Sequence, residues 1–384
     1  MVTYSSVVLW NFKPIFVNDT LNLDNLSTLV TFTGSTDEQW FYLVSVALEA
    51  KGGPTIPLML DAFEAARRHD SATVTKNLRA FAELLDEFGS LLVRMYESCD
   101  PHVFYHRIRP YLAGSKNMKD AGLPHGVLYD DGSKNPAWRQ YRGGSNAQSS
   151  IIQFFDIVLG VEHRPTGTRP DETSESEVEP GTTRKPRHNF IHDMRQYMPG
   201  PHRRFLQAVE SVANIREFVE EHRSDTQLCV AYDACLAMLR TLRDKHLQMV
   251  SRYIIVKSRE SRSISRSRGA TSPDIPSRGT GIASIKYERG GRSEEKPSAK
   301  KMRGTGGTAL ISFLKQARDE TGEPAIDAWA RKLLMGGRRT EVDHEIAFES
   351  RITAQELDAE IEVPLVGLAG SWNLEDNGGG LCAW

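Results

Sequence analysis

The chain has 384 residues, 26% of them charged, and a formal net charge of −2. This length exceeds what one ordinary core needs, so we expect one large domain with tails or two domains. The balanced charge argues against general attraction to nucleic acid. Four cysteines without CxxC spacing argue against a disulfide framework or a cysteine-rich zinc site. No signal-peptide pattern and no apolar run of about 18 residues occurs, so we predict a cytoplasmic protein without a membrane span.

The spacing of apolar residues predicts helices along most of the chain. The first begins near Thr36 with acidic residues in its first turn and continues through an apolar run at 40–50, which is typical of a buried helix. Convincing alternating strands are scarce, so we predict a mostly α fold with several helices. Further helical patterns lie at about 57–70, 76–97, 147–161, 202–222, 225–257 and 304–320.

Two segments are too polar to contribute to a core. Residues 162–188 contain almost no large apolar side chain, and residues 257–303 contain thirteen Lys or Arg against five Asp or Glu. Neither can bury enough surface to offset the entropy of ordering, so both are predicted to be disordered inserts. We therefore expect one all-α domain over 31–320, interrupted twice and followed by a C-terminal tail at 321–384.

The basic insert at 257–303 allows a second interpretation, a tether for nucleic acid. A serine–arginine run at 258–268 favours it, but Tyr287 is the only aromatic residue in the insert. Because single-stranded nucleic acid is usually bound by aromatic residues that alternate with basic ones, we interpret the insert as a linker and expect no nucleic-acid partner.

His246 is the candidate metal ligand. With Leu242 and Met249 it falls on one stripe of the helix predicted over 225–257, so its imidazole should point inward among apolar side chains. From there it could present a nitrogen to iron in a dry pocket, with Arg243 available to pair with an anionic group. A buried histidine with a satisfied hydrogen bond fits the same pattern, and the spacing alone does not decide between them.

Several segments, in order along the chain, resemble the indoleamine 2,3-dioxygenase family. The resemblance covers roughly residues 4–320, and the Gly-Thr-Gly-Gly-Thr motif at 304–308 would mean little without the others. The segments that carry it are GGSNAQSSIIQFFDIVLGVEH (143–163), IHDMRQYMPGPHRRFL (191–206), LRDKHLQMVSRYIIV (242–256) and GTGGT (304–308), supported by TFTGSTDEQWFYLVSVALEA (31–50) and PHVFYHRIRPYLAG (101–114).

The resemblance implies haem b as cofactor and assigns residues to it. His246 takes the position of the proximal iron ligand, and Arg243 that of an arginine near a haem propionate. Gly144 is placed close to the cofactor, beside Ser145. Ser45 and Ser145 would line the distal side and act in catalysis.

The resemblance also implies a tryptophan site. Arg109 would hold the substrate carboxylate, because a guanidinium can donate two parallel hydrogen bonds to it. Phe41 and Phe104 would form an apolar slot for the indole, and Thr305 would meet the substrate from a mobile glycine-rich loop. Alternatively, Phe41 and Ser45 are core residues and Arg109 lies at the surface.

The implied activity is that of a haem-dependent dioxygenase. It would insert both atoms of O2 across the indole C2–C3 bond of L-tryptophan and give N-formylkynurenine, the first step of tryptophan catabolism through the kynurenine pathway. A reductant would keep the iron ferrous, and we expect a monomer.

The resemblance begins near Tyr4, at the end of the family's small N-terminal domain. Residues 1–30 are therefore interpreted as a remnant of that domain, which contributes Tyr4, Val7 and Val8 to the distal pocket. Either more chain precedes Met1 in the natural protein or the protein is a truncated form. In the second case the alternative function is a non-catalytic, haem-binding member of the family.

Overall fold

We describe the protein from a computed structural model. The chain divides into two units, Met1–Arg338 and Arg339–Trp384. No helix among the described residues is long and apolar enough to cross a membrane. The structure describes residues 2–17, 22–116, 118, 122–130, 132, 136–167, 190–260 and 310–336, together with two strands at 365–367 and 370–372.

The first unit is built from helices, as the sequence predicts. The described residues near 109–148 and at 190–199 form only short helices and short strands. The α-helices are α1 (Thr36–Gly52), α2 (Thr55–Arg67), α3 (Ser71–Val93), α4 (Met95–Ser98), α5 (Pro101–Val103), α6 (Ser150–Val158), α7 (Phe190–Met194), α8 (Gly200–Glu210), α9 (Ile215–Glu221), α10 (Thr226–Val250), α11 (Leu310–Glu320) and α12 (Ala328–Gly336).

The described strands form three separate antiparallel pairs. β1 (Phe12–Pro14) pairs with β2 (Leu26–Thr28), and β3 (Val127–Tyr129) pairs with β4 (Ala137–Arg139). In the second unit, β5 and β6 form a hairpin; they span Leu365–Gly367 and Gly370–Trp372. Strands of three residues contribute little to a core, so the mostly α prediction is confirmed.

α1 begins at a capped turn, which sets its direction. Ser35 accepts a hydrogen bond from the backbone N–H of Glu38, the expected role of an N-cap serine. The fully buried Glu38 carboxylate accepts backbone N–H groups from Phe32 and Thr33 at 2.8 and 2.7 Å. A buried carboxylate that is satisfied in this way fixes the chain entering α1 and therefore the helix face that reaches the interior.

α3 and α10 form the centre of the core. Leu78 of α3 accepts a hydrogen bond through its carbonyl from the Cys235 thiol of α10 at 3.0 Å, and both residues are fully buried. α6 approaches the end of α1 closely: a Cβ at Gly52 would lie 2.3 Å from the Ile151 side chain, so a larger residue there would force the two helices apart.

The described structure extends into both segments predicted to be inserts. Residues 162–167 follow α6 and include His163, whose side chain is buried between carboxylates, and the half-buried Arg164, which pairs with Glu323. Residues 257–260 continue the helix of α10. From composition alone such charged residues are predicted to be solvent-exposed, because composition cannot show which charged side chain has a buried partner.

Candidate functional site

Two chambers inside the first unit meet at His246. They hold about 1010 and 1240 Å³ of empty space, with open solvent at their mouths included. The first chamber is lined by Asp156 and Arg243, among others, and the second by Phe104 and Arg109. Both chambers share wall residues that include Tyr4, Ser45, Leu92, Ala147, His246 and Phe313.

His246 lies on the inward stripe of α10, one turn after Leu242, and its ring faces both chambers. Burial, followed by the nearby Arg243 cation, lowers the pKa of His246 to about 4, so the imidazole is neutral at pH 7. Among the described residues no hydrogen bond to its ring is found. Among the described residues His246 is therefore not a hydrogen-bonded core histidine, and a neutral ring nitrogen remains available to a ligand.

The second chamber is lined by aromatic rings and by the guanidinium of Arg109. The rings of Phe41 and Phe104 lie 4.9 Å apart, and Phe104 packs edge-on against Tyr253 at 5.6 Å. Arg109 lines the same chamber and lies 5.5 Å from the Tyr105 ring centroid. Burial lowers the pKa of Arg109, yet a guanidinium remains charged at pH 7. A flat apolar ligand with one carboxylate matches this combination.

Three π-helical segments contribute side chains to the second chamber. They span Ser5–Leu9, Phe104–Ile108 and Ser251–Val256. A π-helical turn widens the backbone and rotates side chains relative to an α-helix, and such turns are frequent at functional sites. The sequence contains no signal that separates these turns from α-helical ones, and two of them directly follow α5 and α10.

The loop at 143–149 brings small and polar groups to the second chamber. Gly144 donates its backbone N–H to the Leu112 carbonyl at 3.1 Å, and the Ser145 hydroxyl accepts from the backbone of Ala147 at 3.3 Å. Gln148 anchors the loop because its side chain accepts the backbone N–H of Tyr4 at 2.9 Å and donates to the Gly143 carbonyl at 2.9 Å. The loop is therefore held against the N-terminal segment.

Arg243 lines the first chamber and is paired with a buried carboxylate. Its Nη2 lies 2.6 Å from Oδ1 of Asp156, whose side chain is 7% exposed, and its Nη1 contacts the Thr321 hydroxyl. Asp156 is therefore a buried carboxylate that pairs with a cation at the first chamber. Burial raises the pKa of Asp156, but Arg243 and His163 outweigh that effect, so the net pKa lies below its usual value.

The donor set fits a haem. His246 offers a neutral imidazole at the meeting point of two apolar chambers, and neutral imidazole is the form that ligates iron. The side chains of Leu239, Leu242 and Phe313 give the first chamber an apolar wall suited to a macrocycle. Arg243 adds a cation at the same chamber, although it is already paired with Asp156.

A family model for indoleamine 2,3-dioxygenase matches residues 1–324. An indoleamine 2,3-dioxygenase of Saccharomyces cerevisiae is 40% identical over 331 residues, which cover 84% of this chain and 67% of that protein. One from Aspergillus candidus is 37% identical, over 83% of this chain and 68% of that protein. This chain belongs to the indoleamine 2,3-dioxygenase family. It spans about two thirds of the length of these relatives.

Membership in the indoleamine 2,3-dioxygenase family confirms the predicted resemblance and the enzyme class, since the relatives are named as dioxygenases and dioxygenases are oxidoreductases. A further relative, a 6-hydroxytryptophan 2,3-dioxygenase of Fusarium equiseti, is 36% identical over 84% of this chain and 69% of that protein. Its name shows that relatives at this level of identity include enzymes named for different indole substrates.

The structure brings most of the predicted site residues of this family member together. They line one or both chambers, whereas Thr305 and the rest of the 304–308 motif lie outside the described residues. The residues brought together are Phe41, Ser45, Phe104, Arg109, Gly144, Ser145, Arg243 and His246. Tyr4, Val7 and Val8 also line the second chamber, as predicted.

Glu49 is a chamber residue that the sequence analysis did not single out. It lies one turn after Ser45 on α1, and its Oε1 accepts hydrogen bonds from Ser149 at 2.6 Å and from Tyr4 at 3.0 Å. Burial raises the pKa of Glu49, and the two hydroxyl donors only partly oppose this effect. The four-residue spacing from Ser45 was the available signal, but the apolar run around it suggested a core face.

Proposed function

We propose that this chain binds haem b through His246 and oxidises the indole ring of L-tryptophan. Both atoms of O2 would be inserted across the C2–C3 bond to give N-formylkynurenine, the first step of the kynurenine pathway, and a reductant would keep the iron ferrous. The observation that carries the proposal is the imidazole of His246, which accepts and donates no hydrogen bond among the described residues and lies at the meeting point of two apolar chambers, in a member of the indoleamine 2,3-dioxygenase family.

His246 and Arg243 are the residues proposed to hold the haem. His246 would supply a ring nitrogen to the iron. Because Asp156 already pairs with Arg243, that arginine would act on a propionate through a shared charge. Gly144, with no side chain, leaves room beside the cofactor. When bound, haem supplies the oxidative chemistry that no amino-acid side chain provides.

The second chamber is proposed to hold tryptophan. Phe41 and Phe104 would pack against the indole, and the buried guanidinium of Arg109 would bind the α-carboxylate through two parallel hydrogen bonds. Because the chamber is mostly apolar, such a pair is screened little by water. Thr305 would close the site from the 304–308 segment.

Ser45 and Ser145 are proposed as the polar groups nearest the reacting part of the substrate. Ser45 lies in the wall shared by both chambers, and its hydroxyl donates only a long hydrogen bond of 3.4 Å to the Phe41 carbonyl. Ser145 lines the second chamber. A hydroxyl held this weakly can turn toward a ligand and donate to it.

The substrate class follows from the chamber and from the relatives. The names of the relatives refer to indoleamine or 6-hydroxytryptophan, and the chamber combines an aromatic slot with one arginine. We propose L-tryptophan as the substrate. Cytoplasmic location and a monomeric state remain predictions; the three described cysteines are free thiols, which suits a reducing compartment.

The proposal is tested with the full chain expressed with haem supplied. We expect a haem spectrum and, with L-tryptophan, O2 and a reductant, conversion to N-formylkynurenine that carries two ¹⁸O atoms from ¹⁸O2. His246→Ala should abolish the haem spectrum. A haem spectrum without product would instead support the non-catalytic alternative, and an unchanged spectrum in His246→Ala would contradict the ligand assignment.

A further inference from the structure

His163 lies between two buried carboxylates. Its Nε2 is 3.1 Å from Oδ2 of Asp156, and its Nδ1 is 2.7 Å from Oε2 of Glu320. The three side chains are 6%, 7% and 2% exposed, in that order. An ionised carboxylate can only accept a hydrogen bond, so each ring nitrogen must donate one. With both carboxylates ionised, this geometry holds the ring as the doubly protonated, positively charged imidazolium.

Among the described residues, the two carboxylates beside His163 also pair with arginines. Oδ1 of Asp156 pairs with Arg243 at 2.6 Å. Oε1 of Glu320 accepts the backbone N–H of Arg164 at 3.0 Å, and Nε of that arginine is 3.7 Å away. The Arg164 guanidinium also pairs with Glu323 at 2.7 Å. We call these six residues, Asp156, His163, Arg164, Arg243, Glu320 and Glu323, the ion network.

The ion network joins three parts of the fold that line the first chamber. Asp156 belongs to α6, Arg243 to α10 and Glu320 to the end of α11. α11 also carries Phe313 and Ala317, which form part of the wall of the same chamber. Without the cation of His163, Asp156 and Glu320 would be two buried carboxylates facing one another across the ring position.

We propose that His163 is a positioning residue: as an imidazolium it holds Asp156 against Arg243 and fastens α11, and so it sets the Arg243 guanidinium at the first chamber. The role of Arg243 toward haem rests on the proposed function. The charge state of His163 and the attachment of α11 do not, and they stand even if this chain binds no haem.

The pH dependence follows from the groups that face His163. Burial lowers its pKa, but Asp156 and Glu320 outweigh burial and the more distant Arg243 cation, so the net pKa is raised from 6.5. A histidine with a raised pKa in the folded state contributes stability that is complete below about pH 6.5 and is lost as the pH rises through the folded value. The network should therefore weaken on the alkaline side.

The charge state is tested by NMR on the full-length protein labelled with ¹⁵N histidine. At pH 7 we expect both ring nitrogens of His163 to carry a proton, assigned by comparison with His163→Gln. A neutral tautomer at pH 7 would overturn the proposal. The charge state itself is measured on the wild-type protein. If the variant does not fold, the His163 signal can be assigned by its exchange behaviour and pH titration.

The positioning role is tested by urea unfolding of wild type and His163→Gln between about pH 6 and pH 10. The difference in stability should be largest at pH 6 and should shrink as the pH rises; a constant difference would overturn the proposal. With haem supplied, the variant should release it roughly 10–100-fold faster, the usual effect of removing a group that orients a metal-site residue. Unchanged haem release would contradict the proposal that His163 positions Arg243.

His192→Gln is the matched control. This histidine also lies near a carboxylate, with Nε2 3.5 Å from Oε1 of Glu210, but its side chain is 53% exposed. We expect its substitution to leave haem release and the alkaline pH dependence of stability unchanged. If haem binding fails in every form while the NMR and stability results hold, the proposed function fails and the ion network remains.

Discussion

Two buried histidines in this protein have opposite environments. His246 faces apolar chambers, without a hydrogen bond to its ring among the described residues, and its pKa is lowered to about 4. His163 lies between two carboxylates, and its pKa is raised. Burial lowers the pKa of both rings, and Arg243 lowers it further in both. The difference therefore comes from the carboxylates of Asp156 and Glu320, and not from the depth of burial.

The comparison separates two roles for a histidine in one site. A neutral ring with a free nitrogen can bind a metal, whereas a charged ring with both nitrogens donating can only organise its neighbours. Arg243 lies between the two regions, in the chamber wall and in the ion network. A change at either histidine should therefore alter the surroundings of Arg243. A change at His246 would act through the chamber wall, and a change at His163 through the ion network.

The largest effect is expected from His246→Leu. Removal of the proposed iron ligand should lower haem affinity by more than about 100-fold, beyond the 10–100-fold typical of residues that merely orient a ligand. Because the ring is neutral and faces apolar walls, we expect the haem-free chain to change in stability by less than about 1.5 kcal/mol. Spectral titration with haem and urea unfolding measure the two effects, and strong destabilisation would show that His246 is a structural residue.

Asp156→Asn tests the other region. The substitution leaves His163 and Arg243 as buried cations without their shared carboxylate, and breaking a buried pair in this way costs about 3–5 kcal/mol. Urea unfolding at pH 7 measures the loss. The pKa of Asp156 is lowered in the folded protein, so its contribution to stability is present above about pH 3.8 and is lost as the pH falls through the folded value. Wild type and Asp156→Asn should therefore converge in stability at low pH.

Asp61→Asn is the control for Asp156→Asn. Asp61 is exposed and accepts one hydrogen bond, from Asn77 at 2.8 Å. We expect a change within about 0.5 kcal/mol, as for most surface substitutions. An equal loss in both variants would mean that the burial of the ion network has no special energetic consequence.

Arg109→Lys should affect substrate and leave haem in place. A lysine keeps the charge but cannot donate two parallel hydrogen bonds to a carboxylate, so we expect tryptophan to bind roughly 10–100-fold more weakly, equivalent to about 1.5–3 kcal/mol. The tryptophan-induced change of the haem spectrum measures this affinity. Arg107→Lys, at an exposed position two residues earlier, should leave it unchanged; equal weakening in both would place the carboxylate site elsewhere.

Glu49→Gln should have the smallest effect. The pKa of Glu49 is raised, so a neutral carboxamide resembles its protonated form, and we expect a change of less than about 1 kcal/mol near pH 5. Because the folded pKa lies above 4.5, ionisation in the folded state becomes costly as the pH rises, and the variant should gain stability relative to wild type in that direction. Urea unfolding at several pH values tests this, and the opposite trend would mean that the ionised form is the stabilised one.

The residues that line the two chambers could be predicted well from sequence because they repeat at helical spacing or lie in short motifs. Leu242, His246 and Met249 point the same way in any helix over this segment, whatever surrounds it. Phe104 and Arg109 lie within one motif, so their proximity is nearly local. The family resemblance then assigned chemistry that periodicity could not supply.

The ion network could not be predicted, because its members are far apart in the chain. His163 and Glu320 are separated by 157 positions, and a stretch of the chain between them lies outside the described residues. Composition placed residues 162–167 in a solvated insert, since charged residues are usually exposed. Only the tertiary position of α11, which brings Glu320 to His163, shows that this histidine is buried and paired.

By itself, the sequence determined that the protein is mostly α, that His246 faces inward and that the chain resembles the indoleamine 2,3-dioxygenase family. Those conclusions depend on the period of the α-helix and on short motifs, which are properties of neighbouring residues. The tertiary structure decided that the pKa of His246 is lowered and that of His163 is raised. A protonation state depends on every charge and apolar wall within a few ångströms, and most of these come from distant parts of the chain.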